Sequence, residues 1–188
     1  MTVLMDRPSA TDEHGSPEPE ELLDSLELPP GYKAELVGRE IIVTPPPELD
    51  HQTVLRRVRR QLPPHGWEEE HNIGVITPGG KFIPDLVVAD LDYLERESRA
   101  SWQPPEGIAM VVEVTSSNAS TDRDEKRRGY AAAKIPLFLL VDRQQKETVL
   151  VSKPEGGDYT VADRRPIDEQ IPLPEPFSFT LESPHDRS

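Results

Sequence analysis

Residues 111–142 read VVEVTSSNASTDRDEKRRGYAAAKIPLFLLVD, and this stretch decides the fold. Its flanks, Ile108–Thr115 and Leu137–Val141, are short continuous apolar runs, the pattern of strands in a sheet covered on both faces. Between them, Thr121–Lys134 reads as a helix, with Thr121 and Asp124 in capping-box spacing. Strand, helix, strand is one βαβ unit, which pairs its strands in parallel through a right-handed crossover. One residue breaks the pattern. Glu113 stands in an otherwise apolar strand, and burying a lone carboxylate is unfavourable by several kcal/mol unless something pairs with it.

Working outward, Lys33–Val37 and Glu40–Thr44 flank Gly38-Arg39 as a tight hairpin. Residues 48–62 read as a helix, with Val54, Leu55, Val58 and Leu62 on one face and Arg56, Arg57, Arg59 and Arg60 largely off it. Glu68–Ile76 and Lys81–Ala89 read as two strands joined by Thr77-Pro-Gly-Gly80. Residues 92–106 read as loop with a helical turn, and 147–181 as short finishing strands. The expected architecture is α+β, becoming α/β in the centre.

A second acid repeats the anomaly. Asp85, in KFIPDLVVAD, interrupts an apolar run and so reads as a mid-strand carboxylate. Each acid alone has an ordinary explanation. An Asp after Pro can cap local backbone amides, and Glu113 can pair with an arginine. As a pair on neighbouring strands they repel unless a cation or proton joins them. The chain has no cysteine, so a shared cation would be a hard ion bound by oxygen, Mg²⁺ or Mn²⁺ rather than zinc.

The segments YKAELVGREIIVTPPPELDHQ, PDLVVAD and the opening stretch, in that order, resemble the Uma-two family of restriction-endonuclease-like proteins, within the PD-(D/E)XK nuclease superfamily. The likeness spans about residues 32–152. It implies a restriction-endonuclease-like central mixed sheet flanked by helices, with an N-terminal hairpin and a short β-rich C-terminal part. It also implies a metal-dependent endonuclease acting on phosphodiester bonds in DNA, with Asp85, Glu113 and the Val114 carbonyl holding the metal. The pattern's usual lysine, two residues after the glutamate, is here Thr115. Lys126 on the following helix is the substitute, sharing a helical face with Asp122 and Tyr130. An ordinary Asp–Lys surface pair with a packing tyrosine reads equally well. Glu40 is a candidate further ligand, and Glu35 reads at least as well as an exposed hairpin charge. His51 faces the site or a phosphate, or caps its helix.

Arg56, Arg57 and Arg60 on the first long helix, and Arg123 and Arg127 on the second, are candidate phosphate contacts, although such runs are also common on solvated faces. The net charge of −14 argues against a general nucleic-acid coat, but residues 1–28 carry eight carboxylates against Arg7, half of that charge. They read as a flexible acidic leader in which Leu22, Leu23, Leu26 and Leu28 form a short docking helix. Residues 29–182 read as one domain and 183–188 as a tail. No stretch has the length of a membrane span or the pattern of a signal peptide, so a cytoplasmic protein, in this family a possible homodimer, is the expectation. Two alternatives remain: a catalytically inactive nuclease-fold module that binds protein or nucleic acid, and a carboxylate-pair glycosidase. Sparse aromatics, 5% of the chain, give the latter no sugar platform.

Overall fold

The computed structural model describes residues 17–63, 65–93, 101–115 and 119–184, with the backbone alone at 119 and 122. The βαβ unit forms as expected. Strand β8 (Ile108–Val114) runs parallel to β9 (Leu137–Asp142), with Glu113 opposite Leu140. Every residue of both strands is buried. They are the centre of a six-stranded sheet, ordered β11-β10-β9-β8-β6-β3.

Both faces of that sheet are covered. Helix α2 (Leu49–Arg59) lays Val54, Leu55 and Val58 on one face, over Leu86, Val88, Met110, Val112 and Val114. On the opposite face Val87, Val111, Phe138 and Leu140 pack with Phe82, Tyr130 and Ile135. Each such side chain, fully buried, contributes roughly 1.5–3 kcal/mol. Alternate residues of β8 therefore enter different cores, and Glu113 stands on the face opposite α2.

A second sheet, ordered β2-β1-β5-β4-β7, starts from the expected hairpin, β1 (Lys33–Val37) and β2 (Glu40–Thr44), with Glu35 opposite Ile42. The two long strands expected over 68–76 and 81–89 are each broken in two, and the halves belong to different sheets. β3 (Trp67–Glu70) and β6 (Leu86–Asp90) pair in the six-stranded sheet; β4 (Gly74–Thr77) and β5 (Gly80–Phe82) pair in the five-stranded one. The breaks have local causes. Asn72 turns the chain at φ +58°, and Pro84 has no N–H to give a ladder. Asp85 is thus at a corner between sheets, not in mid-strand. The neighbouring corner is tied to it by His71, whose Nδ1 lies 2.9 Å from the Asp85 carbonyl.

The helix of the βαβ unit, α3, also differs from expectation. It starts at Ala119, two residues early, and ends at Ala132. Thr121 therefore lies inside it and caps nothing. Residues Asp122–Lys126 form one π-helical turn. The C-terminus closes with Lys134 at φ +60° and its N–H on the Ala131 carbonyl, just before Pro136.

Part of the expected acidic leader is folded. Helix α1 (Pro19–Ser25) buries Leu23 against Ala34 and Leu36. The C-terminal part is not only short strands: β10 (Glu147–Glu155) and β11 (Asp158–Pro166) make a nine-residue hairpin before β12 (Ile171–Leu173) and β13 (Phe179–Leu181). Strand β7 (Trp102–Gln103) falls within the 92–106 loop; its expected helical turn lies largely outside the described residues. No helix among the described residues is long and apolar enough to cross a membrane.

Close approach fixes α3 on the Thr77–Gly80 turn. A Cβ at Gly129 would stand 2.8 Å from Phe82 Cζ and 3.2 Å from Thr77 Oγ1. Alanine is the better helix former by up to about 1 kcal/mol, but overpacking costs about 1–3 kcal/mol. Gly129→Ala should therefore lower the thermal midpoint by several degrees; a calorimetric scan showing a rise would refute this contact.

Candidate active site

The anomalous acid has a partner. Lys126, 5% exposed, places its Nζ 3.1 Å from Glu113 Oε1 and 2.8 Å from Glu35 Oε1. The two carboxylates are themselves 3% and 5% exposed. Tyr130, one turn after Lys126, donates its hydroxyl to Glu113 Oε1 at 2.7 Å, and the Ile83 amide donates to Glu35 Oε1 at 2.6 Å. The Tyr130 ring is held edge-on by Phe82, centroids 5.4 Å apart. Strand β8, strand β1 and helix α3 thus each deliver one member of a buried ion cluster, in which one ammonium faces two carboxylates that are further hydrogen-bonded by Tyr130 and the Ile83 amide.

Asp85 completes the pocket from its corner. Its Oδ2 accepts the Val114 amide at 2.9 Å and lies 2.9 Å from His51 Nε2; its Oδ1 has Lys33 Nζ at 3.9 Å. Burial alone would raise its pKa. The His51 hydrogen bond and charge, Lys33 and the Val114 amide outweigh that and hold it below the ordinary 3.8. With Nε2 against a carboxylate, the buried Nδ1 of His51 has no hydrogen-bond partner among the described residues.

Lys33, Glu35, His51, Asp85, Glu113, Val114 and Lys126 line one pocket with a volume of about 60 Å³, room for about two waters. Three carboxylates face two ammonium groups, so the pocket is one charge negative before His51 is counted. Among the described residues no group of three or more His, Cys, Asp or Glu side chains is arranged to hold a metal ion. Mg²⁺ does not need one: it is held by one or two carboxylates and keeps several waters. The carboxylate oxygens of Asp85 and Glu113, with the Val114 backbone beside them, are donors of the kind a hard divalent cation takes.

The expected residues divide. Asp85, Glu113, Lys126, Tyr130 and His51 are brought together. Glu40 is not: it shares the hairpin face of Glu35 and Ile42, but it pairs with Val37 beside the turn, where it is exposed and lines no part of the pocket. Thr115 is buried but turned away, bonded to the Arg143 amide at 2.9 Å and within 3.4 Å of Asp142 Oδ1. Arg123 is bound to Asp142 and Arg127 to Asp158, so these two are tied down within the fold and not offered to phosphate. Arg56 and Arg60 are exposed on α2 and Arg57 is half-buried, while Arg59 pairs with Glu69 at 2.7 Å. The side chain of Asp122 lies outside the described residues. The Val114 side chain is in the core under α2, so it is the backbone that Val114 presents to the pocket.

Lys33 and Glu35 are the residues that sequence reasoning undervalued. A signal existed: on a strand, residues two apart share a face, and Lys33, Glu35 and Val37 alternate along β1 with Val37 in the core.

A mixed sheet covered on both faces, with acids and a lysine gathered at the mouth of a βαβ unit, defines a restriction-endonuclease-like fold. A crystal structure of a putative nuclease belonging to DUF820 from Anabaena variabilis superposes with a TM-score of 0.63, covering 85% of this chain and 90% of that one. At 16% identity the likeness establishes the fold. The chain belongs to the Uma2 family, described as "Putative restriction endonuclease", whose profile matches residues 19–184. No curated protein matches it.

The carboxylates predict an acid limb in stability. Asp85 and Asp142 both have folded pKa values lowered from 3.8; at Asp142 Arg123 and the amides of Gln145 and Gln144 overcome burial. Their contribution is fully present above the unfolded value and is lost as pH falls through the folded values. Urea unfolding from pH 7 to pH 2 should show the wild type losing its advantage over Asp85→Asn below about pH 4. A constant difference between them down to pH 2 would contradict the lowered value.

Proposed function

We propose that the protein is a metal-dependent endonuclease that hydrolyses phosphodiester bonds in DNA. The observation that carries this reading is the convergence of Asp85, Glu113 and Lys126 on one small pocket. Family membership and the nuclease-like fold support it.

Asp85 and Glu113, with the Val114 carbonyl, would hold Mg²⁺ or Mn²⁺. A divalent ion there supplies Lewis acidity toward a phosphodiester. The chain's own residues supply the rest. His51 and the Val114 amide fix the orientation of Asp85. Glu35 and Tyr130 hold Lys126 and Glu113 in place. Lys126 is the cation that stabilises developing negative charge on the phosphate, taking the role that Thr115 cannot fill. Lys33, beside Asp85, is positioned to contact a phosphate oxygen. Arg56 and Arg60 on the exposed face of α2 are the remaining candidates for backbone phosphates.

One observation supports a second reading. Lys126 is itself bound between Glu35 and Glu113, as suits a module that keeps the fold and binds nucleic acid or protein without cutting.

Supercoiled plasmid separates the readings. With Mg²⁺ or Mn²⁺ the wild type should nick it, and Asp85→Ala should lower the rate by at least about a hundredfold. A wild type as inert as Asp85→Ala across duplex, single-stranded and RNA substrates would remove the endonuclease reading.

A further inference from the structure

The residue that departs from the lysine pattern belongs to a second polar cluster, none of whose members lines the pocket. Asp142, fully buried at the end of β9, accepts Arg123 Nη2 at 2.9 Å on Oδ1 and Arg123 Nε on Oδ2. The same Oδ1 accepts the amides of Gln144 and Gln145 at 3.0 and 2.9 Å, and lies 3.4 Å from Thr115 Oγ1. Thr115 Oγ1 in turn accepts the Arg143 amide at 2.9 Å, and the Thr115 amide donates to Val141 at 3.0 Å. Thr115 follows Glu113 by two residues, and Arg123 precedes Lys126 by three. A continuous set of hydrogen bonds therefore joins the strand bearing Glu113 to the helix bearing Lys126, by a route that avoids the pocket.

The helix needs such an anchor. In a regular α-helix residues 123, 126 and 127 would crowd one stripe. Here they fan out across the π-helical turn Asp122–Lys126: Arg123 reaches Asp142, Arg127 reaches Asp158 on β11, and Lys126 between them reaches Glu35 and Glu113. Wide turns of this kind are rare, and persist where surrounding contacts hold them. Arg123 and Arg127 clamp this one at each end.

We propose that Thr115, Asp142 and Arg123 are positioning residues that fix the π-helical turn and so set Lys126 against Glu113. The inference rests on the reading of Lys126 as the pocket's charge-stabilising group. Thr115 is then a working part of the site's support: its hydroxyl braces the helix that carries the displaced lysine.

The test uses the full chain labelled with ¹⁵N-lysine, following the Nζ resonance of Lys126, assigned by its loss in Lys126→Arg. Thr115→Val keeps the shape and removes the hydroxyl; Arg123→Lys keeps the charge and removes the two-point grip on Asp142. Both should displace or broaden the Lys126 signal while thermal midpoints stay within a few degrees of wild type. Thr115→Ser should restore it. Plasmid nicking by the same variants should lose about tenfold to a hundredfold in kcat with KM little changed. A Lys126 resonance at its wild-type position in both Thr115→Val and Arg123→Lys would overturn the proposal, whatever the activity. A displaced resonance with an unchanged nicking rate would leave the anchor standing and remove Lys126 from the catalytic reading.

Discussion

The ammonium group of Lys126 lies between the carboxylates of Glu35 and Glu113, and the other parts of the pocket depend on that placement. Three nearly inaccessible charges hold one another 2.8 and 3.1 Å apart. Burying any of them alone would be severely unfavourable. Together they are satisfied, with Tyr130 and the Ile83 amide taking up further acceptor capacity. Lysine is suited to this place. Its compact ammonium can address two carboxylates from one point, where a planar guanidinium would require a flat, two-oxygen partner. The geometry of the triad also binds the architecture: Glu35 comes from one sheet, Glu113 from the other, and Lys126 from the helix that links β8 to β9.

Asp85 stands apart from that triad, and its surroundings differ in kind. It is fixed by a backbone amide and a histidine, and among the described residues its second oxygen faces only a lysine 3.9 Å away. A carboxylate oriented on one side and open on the other can take up a cation without rearranging the fold. The corner between β5 and β6 makes this possible. Mid-strand, Asp85 would have had to direct its side chain into one of the two cores. At the corner it reaches the pocket, while Leu86 and Val87 on either face continue into the cores.

Much of this was legible in the chain. The βαβ unit, the first hairpin and α2 follow from runs of apolar residues whose period admits one reading. Glu113 and Asp85 were visible because they violate those runs. Three features were hidden, each for a physical reason. The sheet switch at Asn72 and Pro84 left only the polar run Glu68–Asn72 and the proline itself as marks, and which sheet each half joins is a tertiary decision. The π-helical turn differs from an α-turn in its hydrogen bonding, and no residue type announces it. The choice of Glu35 over Glu40, which share one face of the hairpin, depends on how far along it the pocket lies, a tertiary decision that local pattern leaves open. Arg123 and Arg127 looked like phosphate ligands since sequence displays charge but not partner; Asp142 and Asp158, distant in the chain, had already engaged them.

The central claim is tested most directly by a double-mutant cycle on Lys126 and Glu113, measured as unfolding free energy in urea at neutral pH. Lys126→Met alone should cost about 3–5 kcal/mol, because two buried carboxylates lose their cation. Adding Glu113→Gln should then cost less than its effect in the wild type, giving a coupling of about 1–3 kcal/mol. Two substitutions that add to within about 0.5 kcal/mol would mean that the lysine and the glutamate are not partners, and the account of the pocket would be wrong.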